Sequence, residues 1–286
     1  MVVNASGGKA ARAGEGLRDQ LIDAFAAQGV TVAPQLVEGK DLAATLTKQP
    51  GCDVVAVGGG DGTLGSAAAL LSKAGQTMAV LPLGTLNHLS VDLGIPADLA
   101  EAAKIAIAGR TRAIDLAQVG EQMFVNNASV GLYTKLVRVR DGENMPKWLA
   151  AVPAAWTVLR AIKVRRLELD IGGERQVITT PLLFIGNNRY NFTGERLGQR
   201  DALDRGELAL YAVSHRSALA LIGFALRTLL GRADADRDFT LISECKEFTL
   251  LGSGPIHVAH DGEVSEMLLP LRFVSLPHAL KVRVPA

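Results

Sequence analysis

Val54-Val55-Ala56-Val57-Gly58-Gly59-Gly60-Asp61-Gly62-Thr63 is the stretch on which the fold turns. Four apolar residues without alternation read as a strand buried on both faces. Glycines and an Asp follow, and from Leu64 to residue 74 the pattern is helical. Strand, glycines, helix is the layout of an anion site: glycine lets the backbone approach a phosphate, and the helix start supplies aligned N–H donors. Gly60, Gly62 and Gly65 also satisfy the dinucleotide pattern G-x-G-x-x-G. That pattern wants an acid about 20 residues on, to hold a ribose. The next strand end is Leu81-Pro82-Leu83-Gly84-Thr85, and the next acid after Asp61 is Asp92. No G-x-x-x-x-G-K-[ST] occurs, which excludes a P-loop. A purely structural tight turn is the bland alternative, and three consecutive glycines are a costly way to build one.

Working outward, two further loops resemble this one. Asn4-Ala5-Ser6-Gly7-Gly8-Lys9 follows a strand stub at Val2-Val3, and Leu81 to His88 follows an apolar strand at 78–81. Between them the chain alternates. Leu17, Leu21, Ile22 and Phe25 recur at helical spacing, with Gly29 to close the helix. Residues 30–37 suit a strand, Asp41 can cap a helix through Leu46, and 97–109 is helical. This order predicts a mostly parallel sheet with helices on both faces. The three loops then sit at the carboxyl ends of strands and line one crevice.

The pattern changes near residue 112. Strands are expected at 114–116 and 123–126 around Gly120-Glu121, and a hairpin at 167–178 around Gly172-Gly173. Further strands are expected at 182–185, 207–213, 248–251, 256–259 and 280–284. Helical patterns interrupt at 146–160 and 217–231. The expected fold is α/β plus β. Residues 1–115 would form a mostly parallel nucleotide-binding domain. Residues 116–286 would form an antiparallel, β-sandwich-like domain whose last strand can return to the first.

The bulk numbers limit the function. At roughly 150 residues per domain, 286 residues allow about two domains. Lys and Arg total 30 against 29 Asp and Glu, a balance that argues against nucleic acid as a partner. Two cysteines, Cys52 and Cys245, cannot make a disulfide framework or a four-Cys zinc site. The apolar run 217–226 is half of the ~20 residues a bilayer span needs. Glycines and Lys9 near the start do not fit a signal peptide, so a cytoplasmic protein is expected. The Asn-x-Ser/Thr matches at Asn4, Asn127 and Asn191 then carry no meaning.

The loops, with Asp261-Gly262-Glu263 near the end, resemble the diacylglycerol kinase catalytic-domain family, which includes bacterial lipid kinases and sphingosine kinases. The anchors are Asn4-Ala5-Ser6-Gly7-Gly8, Gly59-Gly60-Asp61-Gly62-Thr63, Pro82-Leu83-Gly84-Thr85-Leu86-Asn87 and Asp261-Gly262-Glu263. The resemblance implies an ATP-dependent lipid kinase, with ATP on the first domain, Mg²⁺ arriving with the nucleotide, and a lipid cleft completed by the second. It places Asn4, Ser6, Gly7, Gly8, Gly59, Gly60, Asp61, Gly62, Thr63, Gly84, Thr85 and Asn87 around ATP. Asp61 would orient or hold Mg–ATP, and Asp261 or Glu263 would be the general base. Phosphoryl transfer needs such a carboxylate to take the hydroxyl proton. The acceptor is expected to be a diacylglycerol-like or sphingoid lipid, reached by transient contact with the inner membrane face; a homodimer stays open. The alternatives are a kinase of a soluble acceptor in the NAD-kinase superfamily and a non-catalytic nucleotide- or lipid-binding relative.

Three departures stand out. The first strand is short, so an upstream start or a truncated strand is expected. His88 stands where bacterial members commonly carry an acid. Leu203-Asp204-Arg205-Gly206 has an Arg where many carry a second Asp that helps bind a structural Mg²⁺. Arg205 cannot ligate a cation, and the expectation is that its guanidinium partly replaces the ion. His257 and His260, three apart on a strand, face opposite ways and make a poor chelate. No H-E-x-x-H or G-x-S-x-G occurs, and Ser129 is read as part of a junction turn. Two segments are weighed for membrane contact. One carries Lys147, Trp148, Leu149, Trp156, Leu159, Arg160, Lys163, Arg165 and Arg166, where tryptophans and cations suit an interface. The other, 215–232, reads as a core-facing helix.

Overall fold

A computed structural model describes residues 1–6, 10–11, 14–48, 51–131, 164–191, 198–213 and 239–286. Gly7, Gly8 and both segments weighed for membrane contact lie outside these residues, except Arg165 and Arg166. Those two begin a strand.

The first layer is built on four parallel strands: β1 (Val2–Asn4), β2 (Gln35–Val37), β3 (Val54–Gly59) and β4 (Thr77–Pro82). Helices α1 (Leu17–Ala26), α2 (Leu42–Thr47), α3 (Asp61–Lys73), α4 (His88–Asp92) and α5 (Leu99–Ala108) accompany them. β2 is shorter than the expected 30–37. Pro34 has no N–H to give a ladder, and pairing begins only after it. α3 starts at Asp61, ahead of Leu64, because Gly60 accepts the first helical bond from Leu64 N. Asp41 does not cap α2; its own backbone is helical and its side chain makes no capping bond. Asp98 does cap α5, accepting from Glu101 N at 3.0 Å.

The second layer is antiparallel. β5 (Arg110–Val119), β6 (Gln122–Phe124) and β7 (Asn127–Gly131) are followed by the hairpin of β8 (Arg165–Ile171) and β9 (Glu174–Thr180). Then come β10 (Leu182–Asn187), the short pair β11 (Tyr190–Asn191) and β12 (Gln199–Arg200), and β13 (Leu208–Val213). β14 (Phe239–Cys245), β15 (Glu247–His260) and β16 (Glu263–Val284) close the chain. Ser129 therefore lies mid-strand, not in a turn. β7 pairs on both edges, with β10 and β15, which buries Ala128, Ser129 and Val130.

The two long strands join the layers. β15 pairs with β7 through residues 258–260 and with β8 through 249–251. β16 pairs with β15, then with β5, and finally runs parallel to β4 at Lys281 and Val282. The sheet order is β14-β13-β10-β7-β15-β16-β4-β3-β1-β2. One core packs Val57, Leu64, Leu81, Leu116 and Val282 among the parallel strands and helices. The other packs Leu169, Ile185, Val258 and the stacked rings of Phe248 and Phe273, whose centroids are 4.6 Å apart. β5 feeds both, Ile114 and Leu116 into the first and Ala117 and Val119 into the second.

Candidate functional site

The carboxyl ends of β1, β3 and β4 meet, and side-chain bonds tie their loops together. Asn4 Nδ2 donates to Thr63 Oγ1 at 2.9 Å, while Asn4 Oδ1 accepts from Ser6 N at 3.0 Å and Ser6 Oγ at 2.6 Å. Asn87 holds the third loop. Its Oδ1 accepts from Gly84 N at 2.8 Å, and its Nδ2 donates to Gly84 O at 3.2 Å. Asn87 itself adopts the left-handed conformation, φ +54°, one that Asn tolerates better than most residues. Asp61 caps this arrangement from α3, accepting from Leu89 N at 3.3 Å. Thr85 and His88 are exposed on the same loop.

At Gly84 a glycine is required by close approach. A Cβ on Gly84 would stand 2.5 Å from Gly60 Cα and 2.6 Å from Asn87 Oδ1. The backbones of the second and third loops are therefore in direct contact. Gly84→Ala is expected to cost about 1–3 kcal/mol, because the clash falls on backbone that cannot move freely. Urea unfolding would measure it, and an unchanged midpoint would contradict the close contact.

The Asp261-Gly262-Glu263 block is a tight hairpin turn between β15 and β16, with φ +44° at Asp261 and +90° at Gly262. The turn does not leave Asp261 in solvent. The residue is 8 % exposed. Oδ2 accepts from Val125 N at 2.6 Å, and Oδ1 accepts from Asn126 N at 2.8 Å and Asn127 N at 3.3 Å. Burial pushes Asp261 up to about 6; the three amides and the Arg200 cation pull the other way and offset only part of it. Glu263 points out of the turn, is exposed, and accepts a 3.3 Å bond from Ser66 Oγ of α3. The two acids thus do not share one environment. Both border a cavity of about 240 Å³ between α3 and the hairpin, lined also by Gly65, Ser66, Lys73 and Met123.

Sequence reasoning missed Arg200, which no motif flags. Its side chain is 1 % exposed and pairs with Asp92, 3 % exposed, at 2.8 Å. The two are far apart in sequence, and no local pattern announces the pair. The expectation for Arg205 is corrected. Its guanidinium faces Glu207 at 3.9 Å, and Asp204 is instead held by Arg112 at 2.8 Å. Arg112 reaches Asp204 because β5 runs beside the 203–206 loop, where Asp115 N donates to Leu203 O at 2.7 Å. His257 and His260 do diverge: His257 faces Glu266 at 3.6 Å, and the buried His260 meets Ser265 Oγ at 3.0 Å. Among the described residues, no group of three or more His, Cys, Asp or Glu side chains is placed to hold a metal ion.

Residues 1–119 match the diacylglycerol kinase catalytic domain. Over the longer span, the chain is 38% identical across 273 residues to Probable lipid kinase YegS of Escherichia coli (strain SMS-3-5 / SECEC), covering 90% of this chain and 88% of that one. A Klebsiella pneumoniae (strain 342) relative, Probable lipid kinase YegS-like, is 45% identical over 87 residues, which span 29% of its length. The crystal structure of a diacylglycerol kinase from Bacillus anthracis str. Sterne has the same fold. Its TM-score is 0.68 at 19% identity, over 99% of this chain and 95% of that one. Glycine loops on a parallel layer, joined to an antiparallel layer by long strands, are thus the architecture of a kinase class, and the chain belongs to the diacylglycerol kinase catalytic-domain family. Within that family it is similar to the bacterial lipid kinases named YegS.

Proposed function

We propose that the protein transfers the γ-phosphoryl group of ATP to a hydroxyl of a diacylglycerol-like or sphingoid lipid, with Asp261 as general base. The observation that carries this reading is the placement of Asp261. A buried carboxylate, raised toward neutrality, stands against the first turns of the helix that leaves the glycine loop. In this reading residues 1–115 hold ATP. Asn4, Ser6, Gly59, Gly60, Gly62, Thr63, Gly84, Thr85 and Asn87 surround it, and Gly7 and Gly8 complete the first loop. Residues 116–286 complete the lipid cleft.

The donor set fits a magnesium nucleotide. Asp61 and the hydroxyls of Ser6, Thr63 and Thr85 are hard oxygen ligands of the kind Mg²⁺ prefers. The Gly60–Gly84 contact leaves a cradle of bare backbone that any larger residue would fill. Asp61 would hold the ion; bound Mg²⁺ neutralises charge on the phosphate oxygens. Asp261 would take the proton of the attacking hydroxyl, which enters from the cavity shared with Glu263. Phosphoryl transfer then depends on positioning, which the Asn4 bond between the first and second loops and the Asn87 bonds within the third would supply. Reaching a lipid implies peripheral contact with the inner face of the membrane. Among the described residues, no helix is long and apolar enough to cross one.

The test is transfer of labelled γ-phosphate from Mg–ATP to detergent-solubilised diacylglycerol, monoacylglycerol, sphingosine, ceramide and phosphatidylglycerol, with NAD assayed in parallel. A labelled lipid is expected. Label on NAD and on no lipid, or no transfer at all by folded protein, would overturn the reading.

Gly65→Ala gives a sharper check. A Cβ there would lie 2.5 Å from Asp261 Oδ2 and 2.9 Å from its Cβ. Ala improves helix propensity by about 1 kcal/mol, so thermal stability is expected to change little. Displacing the carboxylate is expected to cost at least about 10-fold in rate. A variant of wild-type activity would show that Asp261 tolerates movement and is not the base.

A further inference from the structure

Arg200 grips the far side of the turn that grips Asp261. Its Nη1 donates to Val125 O at 2.6 Å and Asn187 O at 3.2 Å, and its Nη2 donates to Asn126 Oδ1 at 3.0 Å. Val125 N and Asn126 N, on the same two residues, donate to the two oxygens of Asp261. The peptide groups of this turn are therefore clamped between a buried cation and a buried carboxylate. Asp92 fixes the cation from behind: Oδ2 accepts from Arg200 Nε at 2.8 Å, and Oδ1 accepts from Arg200 N at 3.1 Å. The Tyr190 ring lies 5.7 Å from the guanidinium carbon. Tyr190 Oη accepts from Asn127 Nδ2 at 3.3 Å, tying in the third residue whose amide meets Asp261.

We propose that Arg200 is a positioning residue for Asp261, fixing the 125–127 turn that orients the carboxylate and setting the charge the carboxylate experiences. This rests on the reading of Asp261 as the base. The guanidinium uses four of its five N–H donors in a fixed fork, which a Lys ammonium cannot copy. A buried ion pair is in general weak evidence for stability. Here its donors reach the turn of the base, whereas a purely structural pair could sit anywhere. Among the described residues, the charged or titratable groups around Asp261 are Arg200 and Tyr190 from the β11–β12 pair, Asp92 behind Arg200, His260 and Glu263 on its own hairpin, and, across the shared cavity, Lys73 of α3 and Glu121 of the β5–β6 turn. Only Arg200 is a cation that acts on it.

The experiment is ¹³C NMR titration of the Asp261 carboxyl carbon in the full-length protein, assigned by its loss in Asp261→Asn. Arg200→Gln is expected to raise the Asp261 midpoint by about one pH unit, since an opposite charge is removed. Asp92→Asn is expected to lower it, because the guanidinium loses its counter-charge and acts more strongly on Asp261. A merely structural pair would loosen the turn in both variants and move both midpoints the same way. An unchanged midpoint in Arg200→Gln, or shifts of one sign in both variants, would overturn the proposal. If Arg200→Gln does not fold, the direction in Asp92→Asn decides alone. Alongside, transfer from labelled ATP to diacylglycerol in detergent micelles is expected to lose about 10-fold in kcat in Arg200→Gln, with KM for ATP unchanged. No transfer by the wild type would count against the kinase reading and leave the titration to decide on Arg200.

Discussion

Asp261→Asn is expected to lower the rate of phosphoryl transfer by about 10²–10⁴-fold while leaving the chain folded. An amide cannot accept the hydroxyl proton, so the loss should fall on kcat and not on ATP binding. Folding should survive because two effects oppose each other. The substitution removes a buried charge, which relieves strain on the native state above pH 6. It also turns an Nδ2 donor toward one backbone N–H, which costs about 1–3 kcal/mol. Glu263→Gln is the comparison: the side chain is exposed, and a smaller loss is expected. Equal losses in the two variants would remove the distinction drawn between them.

The same carboxylate predicts a pH profile. A base must be deprotonated, and Asp261 is raised to about 6 by burial. Activity is therefore expected to be full above about pH 7 and to fall tenfold per unit below pH 6. Stability should run the other way. The folded group binds its proton more tightly than the unfolded one, whose value is the ordinary 3.8. Its contribution is fully present below about pH 4 and is lost as pH rises through 6, a difference of roughly 3 kcal/mol. Asp261→Asn should erase that slope. An acid limb that survives the substitution would assign it to another group.

Asp115→Ala is expected to destabilise the fold by about 3–5 kcal/mol, read as a fall in Tm of roughly 10 °C. Asp115 is 1 % exposed on β5. Its Oδ1 accepts from His278 N at 2.8 Å, and its Oδ2 accepts from Gly206 N at 2.6 Å and Asn188 Nδ2 at 3.1 Å. Two of those donors belong to backbone with positive φ, +54° at His278 and +69° at Gly206. One side chain thus holds two loops and the irregular stretch of β16 between Leu276 and Leu280. Each buried donor left unpaired costs about 1–3 kcal/mol, with less than full additivity in one cluster. A loss below about 1 kcal/mol in thermal unfolding would show that water takes the vacated places.

The legible parts of this molecule were those fixed by local chemistry. A strand, three glycines and a helix favour an anion site, and the Asn4 and Gly84 loops follow strands of the same kind. The alternation of the first hundred residues was enough to place the loops at one sheet edge. The long strands were not legible. β15 reads as two short strands because Gly252, Gly254 and Pro255 interrupt it, and the register slips between Leu250 and Gly254 where pairing resumes. β16 hides behind Pro270 and Pro277, so only its last residues look like a strand. Ser129 reads as part of a turn in the sequence, and only double-edged pairing makes 127–131 a central strand. Arg200 and Asp92 gave no signal, since a buried ion pair between distant residues has no periodicity.

The parallel run of β16 beside β4 has a consequence for how the chain comes off the ribosome. Thr77 and Lys281, which pair there, are made roughly 200 residues apart, a long wait before that contact can close. Until the final strand emerges, the nascent first half carries β4 as an open edge, the kind of edge that invites pairing with a neighbouring chain. Asp261 arrives on the same late hairpin. Glycine loops and Asp261 can come together only after this hairpin has emerged, so a chain stalled before it would hold the glycine loops without Asp261 beside them.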